Sequence, residues 1–147
     1  SLDVPAGLPP AWGDEMLLEE IARNLLENAV RYSPPSEPIE TSVSLGDGTL
    51  RVAVTDHGPG VPPAERENVF HSFYRVGSGE TAVAGYGLGL YFAKKLAHAQ
   101  GGNVWVESPI WPDAGAPGAR FVFTIPIAEE VPDDEPAEEA SWRCRGS

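Results

Sequence analysis

A chain of 147 residues with 41% hydrophobic and 22% charged side chains is ordinary for a globular protein and long enough to bury the core of one domain. Its formal net charge of −12 argues against nonspecific nucleic-acid binding. No window approaches the roughly 18 apolar residues of a membrane span, and nothing resembles a signal peptide.

Cys144 is the single cysteine, which excludes an internal disulfide and fits a reducing compartment. A cytoplasmic domain without direct membrane contact is therefore expected, although a parent protein could be membrane-anchored. Much of the negative charge sits in Glu129, Glu130, Asp133, Asp134, Glu135, Glu138 and Glu139. Residues 129–147 accordingly read as an acidic, disordered tail.

Residues 1–13, with Pro5, Pro9 and Pro10, read as a lead-in containing a short strand near Leu2–Val4. The folded domain then spans 14–128. From Asp14 to Tyr32 the apolar residues Leu18, Ile21, Ala22, Leu25 and Ala29 recur at helical spacing on one face. Asp14 suits the N-cap, and Pro34-Pro35 stop the helix. Ile39, Val43 and Leu45, then Leu50, Val52 and Val54, alternate with mostly polar neighbours around Gly46-Asp47-Gly48, which predicts a hairpin with one buried face. His57 to Pro63 is loop, and a short helix is expected from Ala64 to about Phe73. Residues 76–86 are small and polar and read as a mobile loop. A second helix is expected from Gly89 to Gln100, closed by Gly101-Gly102. Strands at Val104–Glu107 and Arg120–Ile127 complete a mixed sheet, with helices on one face.

Three segments carry candidate chemistry. On the first helix Asn24, Asn28 and Tyr32 stack one turn apart, at the border between apolar and charged faces, with Arg31 beside them. Amide oxygens there can ligate a hard cation such as Mg²⁺, and Arg31 can meet phosphate. The bland alternative is ordinary hydrogen-bonded border residues. Asp56-His57-Gly58-Pro59-Gly60 directly follows a strand. The carboxylate can accept from an exocyclic amine, and the glycines admit a flat ring; alternatively the segment is only a turn. Gly85, Gly87, Leu88 and Gly89 open the second helix, where free N–H groups and the helix dipole can cradle phosphate. A flexible hinge is the competing reading. The spacing is GxGxG, without the lysine of a P-loop.

The succession "NLLENAVRYS", "VTDHGPGVP", "VFHSFYR" and "GYGLGLYFAKKLAHAQGG" resembles the ATP-binding domain of sensor histidine kinases, from about Pro9 to Ile127. The resemblance implies an α+β fold: the two-layer α/β sandwich, or Bergerat fold, shared with Hsp90, gyrase B and mismatch-repair ATPases. It also implies ATP and Mg²⁺ as ligands and transfer of the γ-phosphate to a histidine on a separate dimerisation segment. A homodimeric full-length parent and a response regulator are the implied partners. By that likeness Asn28 would ligate Mg²⁺, Asn24 would face the phosphates and Arg31 would contact phosphate. Tyr32 would close on the nucleotide, and Asp56 would read the adenine amine beside Gly58 and Gly60. Phe70 and Phe73 would flank an ATP lid at 76–84, with Gly85, Gly87, Leu88 and Gly89 around the triphosphate.

Arg31 stands where the family usually has lysine, and the last glycine box is reduced to Gly115 and Gly118 around Ala116-Pro117. None of His57, His71 and His98 sits in the helical His-Glu or His-Asp setting of the family's acceptor, so each is expected to be structural or solvent-facing. Three rivals remain: an ATP hydrolase on the same scaffold, a serine kinase that binds sigma factors, and a degenerate nucleotide-binding module that only docks partners. The hydrolases use a glutamate base at the position of Asn24, and an amide cannot take a proton from water.

Overall fold

The computed structural model describes residues 1–9, 11, 13–71 and 88–127. The expected lid at 76–84, Phe73, Gly85, Gly87 and the acidic tail lie outside the described residues.

The elements run β1 (Leu2–Asp3), α1 (Glu15–Tyr32), β2 (Glu40–Gly46), β3 (Thr49–Asp56), α2 (Gly89–Ala99), β4 (Val104–Glu107) and β5 (Ala119–Pro126). Asp14 starts α1 as read from the sequence: its Oδ1 accepts from the N–H groups of Met16 (2.9 Å) and Leu17 (3.3 Å). Ile21, Leu25 and Ala29, spaced four apart, are fully buried against the sheet. Burying side chains the size of Ile21 and Leu25 stabilises the fold by roughly 1.5–3 kcal/mol each.

The sheet order is β1-β2-β3-β5-β4, with β1 parallel to β2 and all other pairs antiparallel. On the helix-facing side Val54 lies opposite Phe121, Val52 opposite Phe123 and Leu50 opposite Ile125, so the apolar positions of β3 and β5 form one layer. Trp105 lies opposite Val122 on the other side, where the Arg51 guanidinium stands 5.6 Å from the indole centroid. Both faces of β5 are thereby covered, which is why Val122 is buried along with Phe121 and Phe123.

Two expectations change. Leu45 belongs by its alternation to the buried face of the hairpin, yet it is 54% exposed. α1 packs on β3 and α2 on β4 and β5, so the outer part of β2 extends beyond the helix layer. Over 64–71, the described part of the expected helix, there are instead two 3₁₀ turns, Pro63–Glu65 and Asn68–Phe70. Between them the Arg66 guanidinium donates to the Ser108 carbonyl, a tie to a distant segment that the local pattern does not contain. Among the described residues no helix is long and apolar enough to cross a membrane.

Candidate nucleotide-binding site

The polar edge of α1 faces the start of α2. Asn24 and Asn28 are half-buried, and neither side chain has a hydrogen-bond partner among the described residues. A Cβ placed on Gly89 would lie 3.7 Å from Asn24 Oδ1, so the first turn of α2 meets the amide of Asn24. Unlike α1, α2 begins at Leu88 with no side-chain cap. The first-turn N–H groups of α2 have no partner within the helix, and the dipole adds partial positive charge, an arrangement suited to an anion. Arg31, in the last turn of α1, is exposed and makes no ion pair among the described residues.

Beside the C-terminal end of α1 the chain leaves β3 through Asp56. It is the one buried carboxylate among the described residues, 2% exposed. Its Oδ1 accepts from the Gly58 N–H at 2.8 Å, and the Ala119 N–H also bonds to the carboxylate. Burial pushes the Asp56 carboxyl above the usual carboxylate range, partly offset by these two bonds and by the neighbouring His57. A carboxylate withdrawn from water in this way binds strongly to any donor presented to it.

The raised carboxyl fixes the sign of a pH effect. The native state holds the Asp56 proton to higher pH than the unfolded chain does, so this group's contribution is fully present in acid. It is lost as pH rises from the ordinary carboxylate range through the raised value. Wild type should therefore lose stability relative to Asp56→Asn as pH rises across that window, measured by urea unfolding without nucleotide. A relative gain over the same window would contradict this placement.

Gly58 couples this loop to α1. A Cβ there would stand 2.7 Å from the Tyr32 carbonyl oxygen, so only glycine lets the loop rest on the helix end. The His57 N–H donates to Ser33 Oγ at 3.2 Å, a second link to the same end. Tyr32 itself is 38% exposed at the rim.

The connection between β4 and β5 closes over the back of the loop. Gly118, at φ +72°, donates its N–H to the Gly58 carbonyl at 3.0 Å, and a Cβ there would meet the Asp56 carbonyl oxygen at 2.6 Å. Gly115, by contrast, has nothing within 4 Å of such a Cβ. Ser108 and Trp111, which sequence reasoning did not single out, belong to the same connection. Their only sequence signal was a Gly- and Pro-rich stretch before a strand.

The structure brings Asn24 to Gly89, and Tyr32 to Gly58 and Asp56. Phe70 is packed in the core, 5% exposed, with its ring edge-on to Phe121 and the Lys94 ammonium 5.0 Å above it. His98 bonds to Asn103 Oδ1 at 2.9 Å, His57 stacks on Trp111, and His71 is exposed. All three are structural or solvent-facing, as expected.

The family model for the histidine kinase-, DNA gyrase B- and HSP90-like ATPases matches residues 13–129, most of the chain. The chain belongs to this ATPase family. As a member it is an ATP-binding domain homologous to the catalytic domains of sensor histidine kinases. Adaptive-response sensory kinases SasA of Gloeothece citriformis and Microcystis aeruginosa are 35% and 36% identical over 126 residues, 85% of this chain. The chain spans only 30% and 31% of those two proteins. Among solved structures, the mycobacterial sensor histidine kinase MprB superposes with a TM-score of 0.73 at 31% identity, covering 86% of this chain and 80% of that one. Full-length ShkA in complex with AMPPNP gives 0.70 at 32% identity, over 87% of this chain and 26% of that one.

Proposed function

We propose that this chain is the catalytic, ATP-binding part of a cytoplasmic sensor histidine kinase and that it phosphorylates a histidine on a separate helical dimerisation segment. The observation that carries the reading is the convergence on α1 of two ligand-competent elements. The uncapped start of α2 lies against Asn24, and the buried Asp56 loop lies against Tyr32. On this reading Asp56 accepts from the adenine amine, and Gly58 and Gly60 leave room for the base. Arg31 and the first turn of α2 at Leu88-Gly89 hold the phosphates, with Tyr32 at the rim.

Mg²⁺ fits this donor set. The half-buried Asn28 side chain has no hydrogen-bond partner among the described residues, and an amide oxygen is a neutral ligand for a hard cation. Asn28 would add its unpartnered amide oxygen, and the ion would supply neutralisation of the phosphate charge.

Phosphoryl transfer requires positioning and charge neutralisation more than covalent help from the protein. A ring nitrogen of the acceptor histidine attacks the γ-phosphorus in line, the bond to the β,γ-bridging oxygen breaks, and ADP leaves. Asn24 offers no basicity to activate water, so transfer to the histidine outcompetes hydrolysis. A homodimeric parent and a response regulator taking the phosphate from that histidine complete the proposed pathway.

Radiolabelled ATP tests it. The chain alone should neither label itself nor release appreciable phosphate. With a matching histidine-bearing helical dimer it should transfer label in trans, slowly because the tether that raises effective concentration is missing. Rapid phosphate release by the chain alone, abolished by Asn24→Ala, would replace the kinase reading with a hydrolase.

A further inference from the structure

The loop after β3 and the connection between β4 and β5 interlock through atoms far apart in sequence. Ser108, 4% exposed, donates its hydroxyl hydrogen to the Gly118 carbonyl at 2.7 Å. The same Oγ accepts from the Val61 N–H at 3.0 Å. One hydroxyl thus ties the far flank of the 56–61 loop to the residue that meets Asp56 from behind. Gly60 sits at φ +77° with its hypothetical Cβ 2.8 Å from Ser108 Oγ, so the approach is as close as backbone allows.

Trp111 closes the near flank. Its indole stacks on the His57 ring, with centroids 4.2 Å apart and planes 10° from parallel. It also lies against Gly118, whose hypothetical Cβ would be 2.8 Å from the indole. The N–H groups of Ile110 and Trp111 both donate to the Pro117 carbonyl, at 2.8 and 2.9 Å, so the connection carrying the indole is closed on itself. Asp56 is therefore bracketed: His57 follows it in sequence, Gly118 stands behind its carbonyl, and Ala119 bonds to its carboxylate.

We propose that Ser108 and Trp111 are positioning residues for the base-reading carboxylate, which hold Asp56 at one depth so that its acceptor meets the exocyclic amine of the bound purine. The inference rests on the proposed nucleotide site and adds to it two residues on a different segment. Hydrogen bonds to a charged acceptor depend steeply on distance and angle. A loop free to shift by a fraction of an ångström would weaken the amine contact while leaving the phosphate contacts, made by α1 and α2, untouched. A side chain that merely stabilises the fold would lower affinity for every nucleotide alike.

The test compares two ligands by calorimetry on the full chain: ATP, and the triphosphate of purine riboside, which lacks the amine. Ser108→Ala should lower ATP affinity about tenfold and leave affinity for the amine-free nucleotide unchanged. Trp111→Ala should show the same selective loss, and Trp111→Phe, which keeps a ring on His57, should recover most of it. Trp111→Ala decides the matter if Ser108→Ala does not fold. Asp56→Asn is the reference: it should weaken ATP selectively, and adding Ser108→Ala to it should have no further effect. Equal losses for both nucleotides, with Asp56→Asn still selective, overturn the positioning role while leaving the site intact. No effect of Asp56→Asn on ATP overturns the site itself, and this inference with it.

Discussion

Asp56→Asn should lower the affinity of the chain for ATP about ten- to a hundredfold, because a hydrogen bond to a charged partner is worth roughly 1.5–3 kcal/mol. The wild-type carboxylate presents only acceptors, of which one oxygen is engaged by the Gly58 N–H. An asparagine must divide that edge between an oxygen and an NH₂ group. With the oxygen kept toward Gly58, the NH₂ group opposes an incoming amine, which cannot accept. The variant should nonetheless fold, since Asp56 is 2% exposed and its ionised form is disfavoured by burial, a cost the neutral amide does not carry. Calorimetry gives the affinity directly. The rise in unfolding temperature on adding Mg²⁺-ATP should shrink in parallel, because a ligand that binds only the native state stabilises by mass action. Equal affinity for wild type and variant would remove Asp56 from the site.

Gly102→Ala should cost roughly 3 kcal/mol or more of stability, the range of mutations that force backbone apart. Past the end of α2 Gly101 stands at φ +81°, and the Gly102 N–H returns to the Ala97 carbonyl at 2.9 Å while the Gly101 N–H bonds to the His98 carbonyl at 3.1 Å. This paired closure satisfies the last carbonyls of the helix and turns the chain directly into β4. At that point it touches β5: a Cβ on Gly102 would lie 1.9 Å from the Thr124 carbonyl oxygen, with the next main-chain carbon at 2.9 Å. The obstacle is backbone, held by the Thr124 N–H bond to the Asn103 carbonyl at 2.9 Å, so no rotamer change relieves it. Either the helix closure or the β5 pairing must give. Gly115→Ala is the control, since nothing stands within 4 Å of its Cβ and it should change stability by less than about 0.5 kcal/mol. Urea unfolding of the two variants tests the contrast; equal midpoints would mean that α2 is not seated on β5 as described.

Local chemistry by itself determined most of the frame. Asp14 and Pro34-Pro35 bound α1, Gly101-Gly102 close α2, and the alternation of Phe121, Phe123 and Ile125 marks β5; each depends only on neighbours a few residues away. The order of the asparagine, aspartate and glycine segments likewise points to an ATP-binding member of this family, because each segment is a short contiguous run legible without the fold. Tertiary structure alone decided the rest. Leu45 has the pattern of a core residue, but among the described residues no helix reaches over the outer part of β2, and it is exposed. The expected helix after Pro63 became two 3₁₀ turns, with Arg66 reaching the Ser108 carbonyl. Gly118, one of the two glycines left in the reduced last box, is the close contact behind Asp56, whereas Gly115 has nothing within 4 Å of a Cβ. Ser108 has no motif at all, since the two partners of its hydroxyl, Val61 and Gly118, lie 47 and 10 residues away. A hydroxyl's role there depends on which two backbones the fold brings within hydrogen-bonding reach, and no local pattern encodes that distance.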